Sequence, residues 1–279
     1  MKLCYQVATP DVAIAPSVTA FQGDLEYTFG ALHDLGYDGV EFMTLNPNVL
    51  DLAQIDRLSQ QKNLDVVLIC TGEVYGQLKI SVADKDEAIR REAIKRLKEE
   101  IDFASHFGAM INIGRVRGQY CYEISRETTY GYAVDGFKEL ADYAEKKNVK
   151  IALESINILQ SNFLNTIPEA VELIKDVGSD YFGVMYDVFH MNTEEADMYD
   201  TIARYKDFNL HIHLSDSNRR YPGGGNLDFD ALIKAIKDTG YDGAFCTEIM
   251  QIPDQDTAAK RSIETLAPIF QKYYGRPMK

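Results

Sequence analysis

Lysine and arginine are scarce in this chain of 279 residues, 29 against 43 aspartates and glutamates, which leaves a formal net charge of −14. Nucleic-acid binding relies on neutralising phosphates with cations, so this balance opposes it, and the same reasoning opposes an anionic membrane surface. A small anionic substrate stays open, because a few local arginines can reverse the field inside one cleft. Long apolar runs are missing as well: none approaches the ~18 residues of a membrane span. The opening stretch 1–7 is too short for a secretory core and reads as a first β-strand. Cysteine is sparse and scattered (Cys4, Cys70, Cys121, Cys246), with no Cys-x-x-Cys pair. Reduced, mostly buried thiols in a cytoplasmic protein are expected rather than disulfides. No Pro/Gly/Ser-rich linker divides the chain, and no glycine-rich phosphate loop follows the first strand, which disfavours a doubly wound nucleotide-binding sheet.

What is present is repetition. Short apolar runs at 2–7, 38–43, 64–70, 109–114, 149–154, 181–187, 209–215 and 243–248 read as strands. Several are rich in Val and Ile and apolar almost throughout, as strands buried on both faces are. Helical patterns fall between them, at about 24–35, 51–62, 85–107, 129–147, 167–177, 195–205, 228–239 and 256–273. Local turn chemistry repeats too. Leu35-Gly36-Tyr37-Asp38-Gly39-Val40-Glu41 parallels Thr239-Gly240-Tyr241-Asp242-Gly243-Ala244-Phe245, each with a glycine that ends a helix before a strand. Eight strands alternating with eight helices predict an α/β fold of one kind, a (β/α)₈ TIM barrel, as a single domain over 1–279.

Barrel chemistry sits at the carboxyl ends of the strands, and the segments after strands three, four, five and seven are long enough to build a cleft. Strand five ends in Glu154, strand six in Asp187 and strand eight in Glu248, while strand seven carries His211 and His213. Three carboxylates and an imidazole at neighbouring strand ends suit a hard divalent ion such as Mn²⁺, Mg²⁺ or Co²⁺. His211 and His213 are two apart and share a strand face, so spacing leaves either as the ligand. Glu41 reads as rim structure. Thr71-Gly72 would let a substrate approach the backbone. Tyr5, Phe42, Tyr75 and Phe189 read first as core or rim packing and second as sugar-stacking surfaces. Tyr221-Pro222-Gly223-Gly224-Gly225-Asn226 lacks the lysine and helix start of a phosphate loop.

Four segments together resemble the xylose-isomerase-like barrels of the sugar epimerase/isomerase superfamily, and within it the ketose 3-epimerases of the D-tagatose and D-psicose type. They are Ala152-Leu153-Glu154-Ser155-Ile156-Asn157, Asp187-Val188-Phe189-His190-Met191-Asn192, His211-Ile212-His213-Leu214-Ser215-Asp216-Ser217-Asn218-Arg219 and Pro222-Gly223-Gly224-Gly225. The resemblance implies His213 as the histidine ligand, beside Glu154, Asp187 and Glu248, of one divalent ion, Mn²⁺ first and Mg²⁺ or Co²⁺ otherwise. It implies an epimerase that inverts C3 through an enediolate held by the ion, with Glu154 and Glu248 as bases on opposite faces of the carbon. His190 and Arg219 match substrate-binding positions. A homo-oligomer and a small sugar or sugar-acid substrate are implied as partners.

Two departures bear on the substrate. Many relatives have a glutamate where this chain has Gln160, which removes a negative charge and adds two donors near the substrate. Arg115-Val116-Arg117 at the end of strand four is a candidate anion clamp, since arginine forks match carboxylate and phosphate, and it points to a keto-sugar acid or a sugar phosphate. Rival readings are an aldose–ketose isomerase or an inosose-type dehydratase on the same barrel, and a non-catalytic sugar-binding barrel subunit. An endonuclease barrel, which needs a histidine-rich zinc cluster and a basic cleft, is opposed by only five histidines and the negative charge.

Overall fold

The computed structural model describes residues 1–277. Eight parallel strands close into a barrel in chain order: β1 (Lys2–Ala8), β2 (Gly39–Met43), β3 (Asp65–Cys70), β4 (Met110–Ile113), β5 (Ile151–Glu154), β6 (Phe182–Asp187), β7 (Asn209–Leu214) and β8 (Ala244–Thr247). Closure runs through β1 and β8, which pair with Cys4 opposite Cys246. The expected fold holds, and each strand lies within about two residues of the run that announced it.

Helices cover the outside: α1 (Leu25–Leu35), α2 (Leu52–Lys62), α3 (Gly72–Leu78), α4 (Glu87–Phe107), α5 (Arg126–Lys147), α6 (Ile167–Val177), α7 (Val188–Glu194), α8 (Met198–Arg204), α9 (Phe229–Asp238) and α10 (Gln255–Tyr274). Ten helices among the described residues replace the eight expected. The additions, α3 and α7, are single short coils at the rim, directly after β3 and β6, too brief to show a helical period. Asp187 starts α7 by accepting the amides of Phe189 and His190 on its side chain, so one residue ends a strand and caps a helix. Ser125 likewise caps α5 through the Thr128 amide, which starts that helix three residues before its apolar period does. The paired turn motifs behave alike: Gly36 and Gly240 adopt φ of 87° and 86°, where a side chain would be strained.

The strands read as continuous apolar runs because their outer faces pack under helices and their inner faces fill the barrel. Tyr5 and Phe42 are fully buried in this core, so their packing assignment stands. Cys4, Cys70 and Cys246 are buried free thiols. Among the described residues, no helix is long and apolar enough to cross a membrane. The loop after β7 is held by Asp216, whose buried carboxylate accepts the amides of Ser217, Gly223 and Leu227. The Gly223 and Leu227 amides are therefore already engaged by a carboxylate, which leaves them unavailable to a phosphate.

One buried acid lies behind the barrel. Glu100 on α4 accepts a hydrogen bond from the Thr44 hydroxyl at 2.8 Å, and Asp11, Arg96 and Glu99 face it. Burial, reinforced by the charge of Asp11, pushes its pKa from an ordinary 4.5 to about 8. Between those values the folded protein keeps a proton that the unfolded chain releases, so stability falls as pH rises across the window. Glu100→Gln removes that dependence. Thermal unfolding should show the gap between variant and wild type widening in the variant's favour from pH 5 to pH 8; a gap independent of pH would contradict the assignment.

Candidate metal centre and active cleft

Four consecutive strand ends bring Glu154, Asp187, His213 and Glu248 together, each offering one ligand atom, with all four atoms within 4.8 Å of one another. His213 Nδ1 lies 2.8 Å from Glu248 Oε2, 3.6 Å from Asp187 Oδ2 and 3.8 Å from Glu154 Oε1. The atom is buried and makes no hydrogen bond. A buried imidazole nitrogen left without a partner is costly, yet one facing three carboxylate oxygens is what a divalent site requires. At the bond lengths of a six-coordinate divalent ion, adjacent ligand atoms stand about 3 Å apart. The donor set fits a hard divalent cation.

Charge points the same way. Burial and the neighbouring Glu248 and Asp187 push the Glu154 carboxyl up to about 8, because three carboxylates cannot share one dry site without a cation. Burial acts against ionised Asp187 and Glu248 as well, but the Arg219 guanidinium holds both below the usual carboxylate range. Arg219 donates to Asp187 Oδ1 and Oδ2 at 2.8 and 2.6 Å, and its other terminal nitrogen reaches Glu248. Its planar fork lies over the Phe189 ring, 5.0 Å from the centroid.

His213 rather than His211 faces this centre. The other ring nitrogen of His213 meets Glu41 at 2.9 Å, and His211 meets Glu41 at 3.0 Å. Glu41 is not a rim residue: it sits inside β2, fully buried, and despite burial the His213 charge and hydrogen bonds from both histidines hold its carboxyl far below the ordinary value. The sequence did carry a signal for this. A carboxylate between Val40 and Phe42 in a strand buried on both faces needs a partner inside the barrel.

Around the centre lies a cleft of about 290 Å³, lined among others by Arg115, Glu154, Gln160, Phe189, His190, Arg219 and Glu248. Gly114 makes room for Glu154, since a Cβ there would stand 2.7 Å from Glu154 Oε2. His190 is buried, and burial lowers its pKa to about 4, so the ring is neutral near pH 7. Asn157 donates to its Nδ1 at 2.8 Å, which leaves Nε2 as the proton-bearing atom, 3.8 Å from Glu154 Oε1. Gly72 lines the cleft, as its lack of a side chain suggested.

The two arginines after β4 part company. Arg115 stays on the cleft wall, but its Nη2 lies 3.7 Å from Glu73 Oε1 and 3.4 Å from the Gly72 carbonyl. Arg117 is fully buried and donates to the carbonyls of Phe163, Leu164, Gly114 and Glu154. It ties the loop after β4 to the loop after β5. The expected two-arginine clamp is therefore not formed: side chains two apart on one turn of 3₁₀ helix do not share a face.

Comparison with known proteins agrees with the barrel fold. The family model "Xylose isomerase-like TIM barrel" matches residues 29–269. The chain is 29% identical to the L-ribulose 3-epimerase of Mesorhizobium japonicum, over 88% of this chain and 83% of that one. It is 30% identical to the L-ribulose 3-epimerase of Methylomonas sp., over 76% and 74%. A solved L-ribulose 3-epimerase structure superposes with a TM-score of 0.81 at 22% identity, covering 97% of this chain and 95% of the other.

Arg117 separates a structural role from a binding one. Arg117→Met strips donors from several buried carbonyls, a loss on the order of 3 kcal/mol, or roughly 6–12 °C in Tm for a domain of this size. A variant that melts like wild type but raises KM for an acidic sugar would restore the clamp.

Proposed function

The chain belongs to the xylose isomerase-like TIM barrel family, and from that premise we propose that it is a divalent-metal-dependent epimerase inverting C3 of a free ketose. The observation that carries the proposal is the placing of two glutamates, Glu154 and Glu248, at the two ends of an arc of four strand ends that also presents Asp187 and His213.

A hydrogen on carbon beside a ketone is too weakly acidic to leave unaided at neutral pH. Glu154, Asp187, His213 and Glu248 would hold the ion, Mn²⁺ first, with Mg²⁺ or Co²⁺ suiting the same donors. When bound, it supplies Lewis-acid polarisation of the substrate oxygens next to the reacting carbon. Inversion needs a proton taken from one face and another returned to the opposite face. One of Glu154 and Glu248 takes the C3 proton as carboxylate, and the other, as carboxylic acid, returns one from across the cleft. The neutral His190 offers its Nε2–H to a substrate oxygen near C1 or C2, and Arg219 keeps Asp187 and Glu248 in place while adding a cationic donor to the same end. Gln160 reads hydroxyls at the rim with a neutral amide.

Charge selects the substrate class. Arg117 is occupied by backbone carbonyls, and Arg115 shares its charge with Glu73. A neutral ketose suits this wall better than a keto-sugar acid or a sugar phosphate, each of which needs an unshared cation.

Proton NMR in D₂O, with Mg²⁺ or trace Mn²⁺ and a panel of ketoses, ketose phosphates and keto-sugar acids, tests the proposal. Deuterium should enter C3 of a neutral ketose with a new epimer, and chelator should abolish it. Glu154→Gln and Glu248→Gln should each lower the rate by about 10²–10⁴-fold. Deuterium at C1 with an aldose product would make the protein an isomerase instead, and no exchange on any sugar would point to a dehydratase or a non-catalytic barrel.

A further inference from the structure

Three buried polar residues inside the barrel, Gln6, Glu41 and His211, and the half-buried Thr19 on the cleft wall have no ligand role at the metal centre. Their contacts run in a circuit. His213 Nε2 meets Glu41 Oε2 at 2.9 Å. Gln6 Nε2 donates to Glu41 Oε1 at 2.7 Å. Gln6 Oε1 lies 3.2 Å from the Thr19 hydroxyl, which is 2.8 Å from Glu248 Oε1. The other oxygen of Glu248 stands 2.8 Å from His213 Nδ1 without a hydrogen bond between them, so the circuit closes at the metal centre itself. His211 meets Glu41 from the side at 3.0 Å.

Glu41, His211 and His213 could be read as a second metal group. Their facing atoms are already engaged with one another and fully buried, so the arrangement is one of mutual orientation. An imidazole that gives its Nε2–H to a fixed carboxylate has one ring orientation and one tautomer, and its Nδ1 lone pair must face the metal centre. Glu41 spans from β2 to β7 across the barrel, and Gln6, its register neighbour on β1, fixes which way its carboxylate lies. At the other end the Thr19 hydroxyl has one proton. Given to Glu248 Oε1, it fixes that oxygen and determines which one turns to His213.

We infer that Glu41, Gln6 and Thr19 are positioning residues: Glu41, its carboxylate oriented by Gln6, presets His213 for the divalent ion, and Thr19 presets Glu248 for proton transfer. The inference rests on the metal-dependent reading above. Its two arms are separable, because Glu41 acts on a group whose task is to hold the ion and Thr19 on a group whose further task is to move a proton.

The test uses chelator-stripped full-length protein titrated with Mn²⁺, with the free ion followed by electron paramagnetic resonance, alongside turnover of D-psicose and L-ribulose. Glu41→Gln keeps the size and one oxygen, and should bind Mn²⁺ about 10–100-fold more weakly while its circular dichroism matches wild type. Thr19→Ala should keep Mn²⁺ affinity within about twofold and lower kcat by about tenfold at unchanged KM, with Thr19→Ser restoring it. Wild-type affinity in Glu41→Gln, or an undiminished kcat in Thr19→Ala, would overturn the corresponding arm. If wild type itself binds no Mn²⁺, the metal-dependent reading fails and the circuit's purpose fails with it, which is distinct from wild type binding and Glu41→Gln binding equally well.

Discussion

Three carboxylates placed at one dry point repel each other, and the rest of the structure is arranged around that repulsion. The closed parallel barrel makes the placement possible, since consecutive strands end at one rim and each contributes one group. Arg219 supplies one positive charge, shared by Asp187 and Glu248. Glu154 has no such direct partner, and its carboxyl is the one pushed upward. A divalent cation would resolve the imbalance, and the unpartnered Nδ1 of His213 faces the same point. Stability and chemistry thus make opposite demands on these residues, and the apolar strands and surrounding helices supply the rigidity that holds them together.

Much of this was legible in the sequence, for identifiable reasons. Strands buried on both faces announce themselves as continuous apolar runs, so a polar residue ending such a run, as at Glu154, Asp187 and Glu248, stands out. Helices with a long apolar period, such as α4 and α10, were equally plain. What stayed hidden depended on direction. Arg115 and Arg117 look equivalent as letters, yet one turn of 3₁₀ helix sends the first to the cleft and the second into the protein. The choice between His211 and His213 came from family resemblance, not from spacing. Glu41 was passed over because its partners on β1 and β7 are neighbours only once the barrel closes. The short helices α3 and α7 are too brief to show a period, and α7 starts on the Asp187 cap.

The cleft around the centre is mixed in character. A neutral histidine, an amide and a shared arginine line it instead of a cluster of free cations. That composition would reconcile a strongly acidic protein with the proposed sugar substrate: the negative charge is concentrated around the candidate ion site, and the remaining wall is close to neutral. It also removes the reason for an anionic substrate that the paired arginines had suggested.

Anomalous X-ray diffraction from crystals grown with Mn²⁺ tests the central assignment most directly. One strong peak should lie among Glu154, Asp187, His213 Nδ1 and Glu248, with Glu41 still on the far nitrogen of His213. A peak elsewhere, or a cluster that keeps its ion pairs and takes up no Mn²⁺ at saturating concentration, would contradict the account.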